Sequence, residues 1–192
     1  MSLWEFARAW WKAPFFSWSI RIAWTGDKEP PFKMSATDLY PTPKDFVNAI
    51  RASAMAMENK YGIPWLFAVT QAAHESRYGN SRLSVEAFNL FGITGDSWKV
   101  QGKPVYEIST LEYDEKKHPY TVVRPFRRYA SYDEALADWA ALIIRRYPLC
   151  FQAACANDFN AFATALQAGG YATDPHYAKL LNDAHTVIEA TV

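Results

Sequence analysis

Residues 63–79 read IPWLFAVTQAAHESRYG, and the prediction of the fold starts from this segment. Pro64 is suited to the first turn of a helix, where the missing N–H of proline leaves no hydrogen bond unmade. Apolar residues then recur at helical spacing and predict a buried stripe. The stripe consists of Leu66, Val69, Ala72 and Ala73. Gly79 is the predicted terminator, so Glu75 is placed in the last turn of an otherwise apolar helix.

A carboxylate at the position of Glu75 is unfavourable for two reasons. The last carbonyl groups of a helix direct partial negative charge at it, and apolar neighbours remove water from it. Both effects favour the protonated form, which a general acid needs near neutral pH. The alternative interpretation is an ion pair with Arg77 or another cation on a solvated last turn.

The segment that follows extends the pattern, and residues 71–93 together read QAAHESRYGNSRLSVEAFNLFGI. This sequence resembles the glucosaminidase family of peptidoglycan hydrolases, glycoside hydrolase family 73. The family pattern is a helix ending Gln-x-Ala-x-Glu-Ser-x-x-Gly, a short linker and Asn-Leu-Phe-Gly-Ile. The resemblance covers roughly residues 42–190, including the segments FRRYASYDEAL and GGYATDPHYA.

The resemblance implies a set of site residues. It makes Glu75 the general acid. It places a second catalytic glutamate in a Thr-x-Glu-Tyr setting, which Glu112 matches, and a tyrosine near the acid, which Tyr171 matches. The residues expected to line the cleft and bind sugar are Gln71, Phe88, Asn89 and Phe91. The alternatives are an exposed hairpin charge for Glu112, a core aromatic for Tyr171 and packing around the turn at Gly92 for Phe88, Asn89 and above all Phe91.

The fold class implied by the resemblance is mainly α (α+β), a lysozyme-like helical domain with a small β-hairpin lobe beside the active cleft. The local patterns agree with this class. Capping signals predict helices beginning at Thr42, Ser131 and Asp174, and a further helix is predicted over residues 158–168. The second of these helices is predicted to end before Pro148. Apolar spacing predicts their buried residues, which are Phe46, Val47, Ile50, Ala54 and Met57 in the first, Leu136, Trp139, Ala140 and Ile143 in the second, and Tyr177, Leu180, Leu181, Ala184, Val187 and Ile188 in the last. Residues 105–113 and 120–123 are strand-like around a polar loop, which predicts the hairpin.

The N-terminal segment, residues 1–31, lies outside the resemblance and holds five of the eight tryptophans. Residues 3–12 have the spacing of an amphipathic helix, and residues 16–24 alternate like a strand. We expect a docking segment and linker at 1–31 and a hydrolase domain at 32–192. The segment packs on its own domain, on a protein partner or on a membrane interface, and the strand period favours packing on protein.

Composition limits the other functions. The formal net charge is +0, so no overall basic field attracts nucleic acid, and we predict no nucleic-acid partner. The four histidines have no metal-binding spacing, and no metal or other cofactor is predicted. Cys150 and Cys155 form a disulfide in an oxidising compartment or remain free thiols in a reducing one, and free thiols are favoured.

The predicted function is hydrolysis of peptidoglycan glycan strands at N-acetylglucosaminyl bonds, with Glu75 as the acid. The alternatives are a lytic transglycosylase and a non-catalytic wall-binding module of a secretion or phage assembly. The predicted location is the cell wall, periplasmic or extracellular. Because residues 1–31 do not resemble a usual secretory signal, delivery by a secretion system, a phage particle or a holin is expected.

Overall fold

The structure is a computed structural model that describes residues 37–113 and 119–192, with the backbone alone at 110–113 and 119. Eight helices and two strands lie in these ranges. They are α1 Pro43–Tyr61, α2 Trp65–Ser76, α3 Arg82–Ala87, α4 Asp96–Val100, β1 Val105–Tyr113, β2 Pro119–Arg127, α5 Tyr132–Arg146, α6 Pro148–Cys155, α7 Phe159–Ala168 and α8 Tyr177–Glu189. The predictions for residues 1–31 and for the loop at 114–118 lie outside the described residues.

Helix α2 is the centre of the helical body and packs against α1 and α8. It is buried on nearly every side, because Val69, Ala72 and Ala73 of the apolar stripe are joined by Phe67, Ala68, Thr70 and Gln71. Leu66, the first residue of the predicted stripe, is only partly buried. Helix α1 buries the five residues that its sequence pattern predicts, namely Phe46, Val47, Ile50, Ala54 and Met57. In helix α5, Leu136, Trp139, Ala140 and Ile143 are buried, also as predicted. A periodic apolar face therefore suffices to identify each of these helices.

The predicted capping box at the start of α1 is present. The Thr42 side chain accepts from the Asp45 N–H, the Asp45 carboxylate accepts from the Thr42 N–H, and Pro43 occupies the first turn. Gly62 ends the helix in the left-handed conformation at φ 71°. The cap at Ser131 is also confirmed, and Asp158 caps α7 in the same way, because their side chains accept from the backbone N–H of Glu134 and Ala161.

Helix α2 ends three residues before the predicted terminator. Its last residue is Ser76, and Arg77 and Tyr78 already have positive φ angles of 56° and 54°. The Ser76 hydroxyl donates to the Ala72 carbonyl at 2.5 Å and accepts from the Gly79 N–H at 2.7 Å. A side chain therefore closes the helix before the glycine is reached, and Glu75 remains in the last turn as predicted.

Other boundaries differ from the prediction. Helix α8 begins at Tyr177 because the Asp174 carboxylate accepts from the His176 N–H at 2.8 Å and forms a turn instead of a cap. Within α8, Leu180 and Val187 were predicted in the core but are 38% and 43% exposed. Helices α4 and α6 were not predicted. Pro148 was taken as a stop, but it also starts α6 from the first turn.

Strands β1 and β2 form a two-stranded antiparallel hairpin in which Val105 pairs with Arg127 and Tyr113 pairs with Pro119. The bounds of β1 are those predicted, whereas β2 continues four residues beyond Val123. At the hairpin base, a small cluster of Leu83, Ala87 and Phe126 is separate from the main core. The hairpin thus forms a lobe beside the helical body.

None of the helices in the described ranges is long and apolar enough to cross a membrane.

Cys150 is buried and Cys155 is exposed on α6, and both are free thiols.

Candidate active site

Glu75 lies in the last turn of α2, where the side chain turns toward the start of α8. Its Oε1 accepts a hydrogen bond of 2.6 Å from the hydroxyl of Tyr177. The residue keeps partial exposure, although protein atoms surround its carboxyl group closely. Burial raises the pKa of Glu75 to about 7, and the Tyr177 hydrogen bond opposes part of that rise. The raised pKa predicted from the sequence is therefore confirmed, with desolvation as the main cause.

Two buried side chains support Tyr177 from behind. Its hydroxyl oxygen accepts from the Gln71 amide Nε2 at 3.1 Å, and the Gln71 Oε1 accepts from the Trp139 indole at 2.9 Å. Gln71 and Trp139 are fully buried, and Tyr177 is only 1% exposed. Burial and the nearby charge of Glu75 raise the pKa of Tyr177, so the phenol keeps its proton and acts as a donor.

Tyr171 lies next to this network but does not contact Glu75 through its hydroxyl. Its ring stacks on Tyr177 with centroids 5.9 Å apart, and its hydroxyl donates to the Phe91 carbonyl at 3.1 Å. The tyrosine that hydrogen-bonds Glu75 is Tyr177, which the helical pattern assigned only to the core. Its place in the segment GGYATDPHYA was the one signal in the sequence that pointed to it.

Asn89 organises the turn between α3 and α4. Its Nδ2 donates to the carbonyls of Ile93 at 2.9 Å and Arg127 at 2.8 Å, and its Oδ1 accepts from the Ile93 N–H at 3.1 Å. The side chain therefore ties the Asn-Leu-Phe-Gly-Ile turn to the base of the hairpin. Because Asn89 is 1% exposed and its amide is used inside the protein, it does not present hydrogen bonds to a sugar.

The predicted sugar contacts need the same correction at two further positions. Gln71 is fully buried between Trp139 and Tyr177. Phe91 is 2% exposed, and its ring stacks on Trp139 with centroids 5.1 Å apart. These side chains are therefore part of the core and are not exposed to a ligand in this structure. Phe88 is partly exposed, with φ 53°, so the sugar contact expected there remains a prediction.

The backbone of Glu112 lies in β1, in register with Tyr120 of β2. The side chain of Glu112 is outside the described part of the structure. Glu107, nearer the hairpin base, is exposed and forms an ion pair with Lys99 at 2.5 Å. The role of Glu112 as the second carboxylate therefore stays a prediction.

His74 packs beside Glu75 on the same turn of α2. Its ring meets the Tyr177 ring edge-on with centroids 5.5 Å apart. Burial lowers the pKa of His74, and the negative charge of Asp174 opposes that shift. Among the described residues, no group of three or more His, Cys, Asp or Glu side chains is arranged to hold a metal ion.

A protonated carboxyl near neutral pH, on a helical body with a hairpin lobe beside it, is the arrangement of a glycoside hydrolase domain of the lysozyme-like kind. The sequence profile of the glucosaminidase family, described as mannosyl-glycoprotein endo-beta-N-acetylglucosaminidase, matches residues 51–189. The chain belongs to the glucosaminidase family. The family and the fold class predicted from the sequence are both confirmed.

Individual relatives agree with this assignment. The peptidoglycan hydrolase FlgJ of Salmonella typhimurium is 40% identical over 145 residues, which are 72% of this chain and 44% of FlgJ. The exo-glucosaminidase LytG of Bacillus subtilis is 34% identical over 142 residues, 69% of this chain and 47% of LytG. The chain thus matches less than half the length of these curated relatives.

A solved structure extends the likeness to three dimensions. The C-terminally truncated glycoside hydrolase domain of Salmonella typhimurium FlgJ superposes with a TM-score of 0.62 at 35% identity. The match covers 79% of this chain and 100% of that domain. The similarity therefore includes the whole of that truncated domain.

Proposed function

We propose that this protein hydrolyses N-acetylglucosaminyl bonds in peptidoglycan glycan strands, with Glu75 as general acid. The observation that carries the proposal is Glu75, a partly exposed residue whose carboxyl accepts a hydrogen bond of 2.6 Å from Tyr177 and has its pKa raised to about 7 by burial. A glycosidic oxygen is a poor leaving group until it receives a proton. A carboxyl that still holds its proton near neutral pH supplies one.

Glu112 is proposed as the second carboxylate. Glycoside hydrolysis needs a group across the sugar from the acid, which stabilises the oxocarbenium-like transition state or activates water. A residue on α2 would approach from the same side as Glu75, so the partner has to come from another element. The hairpin lobe supplies it, and Glu112 is the glutamate of β1 in the Thr-x-Glu-Tyr setting.

The proposed reaction proceeds in a balanced sequence. Glu75 transfers its proton to the glycosidic oxygen as the bond from that oxygen to the anomeric carbon breaks. Water adds to the anomeric carbon and gives one proton to the carboxylates of the site, which restores the protonated Glu75, so each cleavage consumes one water and leaves one reducing end. Tyr171 is proposed to orient the substrate or this water, and Phe88 to contact a sugar face.

The test uses purified peptidoglycan with the wild-type protein and the Glu75→Gln variant. The expected result is loss of turbidity with the wild type alone, and fragments with reducing N-acetylglucosamine ends in mass spectra. Anhydro-muramyl ends would instead identify a lytic transglycosylase. Binding without any fragments from the wild type would identify a wall-binding module. Either of these outcomes would overturn the proposal.

The proposed place of action is the cell wall, in the periplasm or outside the cell, because that is where the proposed substrate lies. Residues 1–31 are proposed to dock on a protein or a membrane interface. The test compares the full chain with one that starts at Met34. Docking on a partner predicts unchanged turnover of soluble muropeptides by the shorter chain, whereas loss of turnover without loss of stability would contradict it.

A further inference from the structure

We propose that Trp139, Gln71 and Tyr177 form a hydrogen-bond chain of fixed direction that holds the acidic proton of Glu75 on Oε2. The chain runs through three buried side chains, from the indole of Trp139 on α5 to the carboxyl at the end of α2. These residues act as positioning residues, because none of them offers a reacting atom. The inference rests on the proposed role of Glu75 as a general acid and specifies which of its oxygens gives up the proton.

The direction of the chain follows from the chemistry of its first member. An indole N–H donates and cannot accept, so the Gln71 atom 2.9 Å from Trp139 Nε1 has to be the amide oxygen. This contact removes the usual ambiguity between oxygen and nitrogen in a glutamine side chain. The amide NH₂ then faces Tyr177 at 3.1 Å, and the phenolic oxygen accepts from it.

The next contact fixes the remaining proton. With the Tyr177 oxygen accepting from Gln71, the Tyr177 O–H is directed at Glu75 Oε1, 2.6 Å away. If Oε1 carried the acidic proton, it would be a hydroxyl oxygen, which is a weaker acceptor for the buried Tyr177 O–H than a carbonyl oxygen. The buried donor is better satisfied when Oε1 is the carbonyl oxygen, so the proton is held on Oε2.

Oε2 is also the oxygen that a substrate can reach. Glu75 keeps partial exposure, and Tyr177 occupies Oε1 from the buried side. Among the described residues, only Arg51 Nε is a buried side-chain nitrogen or oxygen without a hydrogen-bond partner, so Oε2 is not enclosed. The chain therefore places the proton on the open oxygen before a substrate arrives.

The charged and titratable groups around the carboxyl are consistent with this placement. On α2, His74 lies beside Tyr177, and burial lowers its pKa, which favours a neutral ring near neutral pH. From the segment before α8, Tyr171 stacks on Tyr177, and its own pKa is raised by burial and by Glu75. Asp174 of the same segment acts on His74 and opposes that lowering.

Tyr177→Phe tests the proposal, because the change removes the donor to Oε1 together with the acceptor of the Gln71 amide and keeps the ring. A hydrogen bond to the charged form of a carboxyl lowers its pKa, so the variant should raise the pKa of Glu75. The expected rise is about one pH unit, a tenfold weaker ionisation. Two measurements report this pKa. One is a carbon-13 NMR titration of the Glu75 carboxyl, and the other is the pH above which kcat/KM on soluble muropeptides falls, the upper pH limb of the profile. With the proton no longer held on Oε2, kcat should fall by up to roughly 100-fold.

Tyr129→Phe is the matched control. Tyr129 is 3% exposed, and its hydroxyl donates to the Asp138 carboxylate at 2.7 Å. The substitution and the type of lost bond are the same, but the carboxylate is a different one. The control should therefore lower the melting temperature and leave both the NMR titration of Glu75 and the upper pH limb in place.

Gln71→Met is the second test and covers the case in which Tyr177→Phe does not fold. A phenol whose oxygen accepts a hydrogen bond is the stronger donor, so loss of the Gln71 amide should shift the Glu75 titration upward by less than Tyr177→Phe does. An unchanged or lowered Glu75 pKa in a folded variant would overturn the proposal. Failure of the wild type to cleave muropeptides would overturn the proposed function instead. The NMR titration of Glu75 would still test the hydrogen-bond chain in that case.

Discussion

The two sides of the proposed cleft are built differently. On the acid side, Glu75 lies in the last turn of a helix that is buried on nearly all sides. Three fully or almost fully buried side chains form the hydrogen-bond network that ends at its Oε1. On the hairpin side, two strands stand on a cluster of three buried residues. The proposed acid is thus fixed by the main core, and the position of the proposed second carboxylate depends on a small, separate cluster.

The contacts at the hairpin base make the difference concrete. The Tyr106 hydroxyl donates to the Glu86 carboxylate, which also accepts from Arg82 at 2.9 Å, and all three groups are on the surface. Exposed polar contacts of this kind contribute about 0.2–1 kcal/mol each. By contrast, a broken bond in the buried network leaves an unsatisfied polar group and costs roughly 1–3 kcal/mol. Mutations in the buried network should therefore lower the free energy of unfolding more than mutations at the hairpin base do.

The largest expected effect comes from Glu75→Gln. The change is nearly isosteric and removes the proton donor, so turnover of muropeptides should fall below detection while the circular dichroism spectrum stays unchanged. Wild-type-like turnover in this variant would refute the assignment of the acid.

Glu112→Gln should also reduce the rate severely, but less completely. A carboxylate that activates water or stabilises the cation contributes on the order of 10²–10⁴-fold. Glu107→Gln is the control, because Glu107 lies on the same strand and pairs with Lys99 on the surface. An active Glu112→Gln together with an inactive Glu107→Gln would show that the wrong glutamate was assigned.

Tyr106→Phe should have a smaller effect that separates the two sides of the cleft. Loss of the contact with Glu86 should lower kcat by a few-fold and change the free energy of unfolding by less than about 1 kcal/mol. Tyr61→Phe, on the helical body at the end of α1, is the matched substitution and should leave kcat unchanged. A large loss of stability with unchanged kcat for Tyr106→Phe would mean that the hairpin base has no role in positioning.

The last expected effect is on stability instead of activity, and it depends on pH. Glu75 titrates near pH 7 in the folded protein and near the ordinary value of 4.5 when unfolded. Between these values the native state binds more protons than the unfolded state, so stability falls as pH rises. Glu75→Gln has no carboxyl to ionise at this position and does not lose this stability. At pH 8 its melting temperature should exceed that of the wild type by roughly 2–4 °C for each kcal/mol that ionisation of Glu75 costs the wild type. The two proteins should melt alike below pH 4.5, and a gap that narrows as pH rises would contradict the raised pKa.

Most of the helical body could be predicted from the sequence, because its elements carry local signals. Apolar residues at helical spacing predicted α1 and α5, and a side-chain cap and a glycine marked the ends of α1. The limits of this approach are visible at Pro148, which ends one helix and begins the next. A local pattern does not distinguish those two roles.

The sequence by itself determined the family, the fold class and the position of Glu75 at the end of a buried helix, since each of these follows from residue types at fixed spacing. The tertiary structure alone decided which side chains reach Glu75. Gln71, Trp139 and Tyr177 come from three helices, and Tyr177 is 102 residues from Glu75 along the chain. The helical spacing predicted Tyr177 to be apolar packing, and the family resemblance predicted Gln71 to be a sugar contact. The fold buries both side chains completely or almost completely, so each polar group has to find a partner inside the protein.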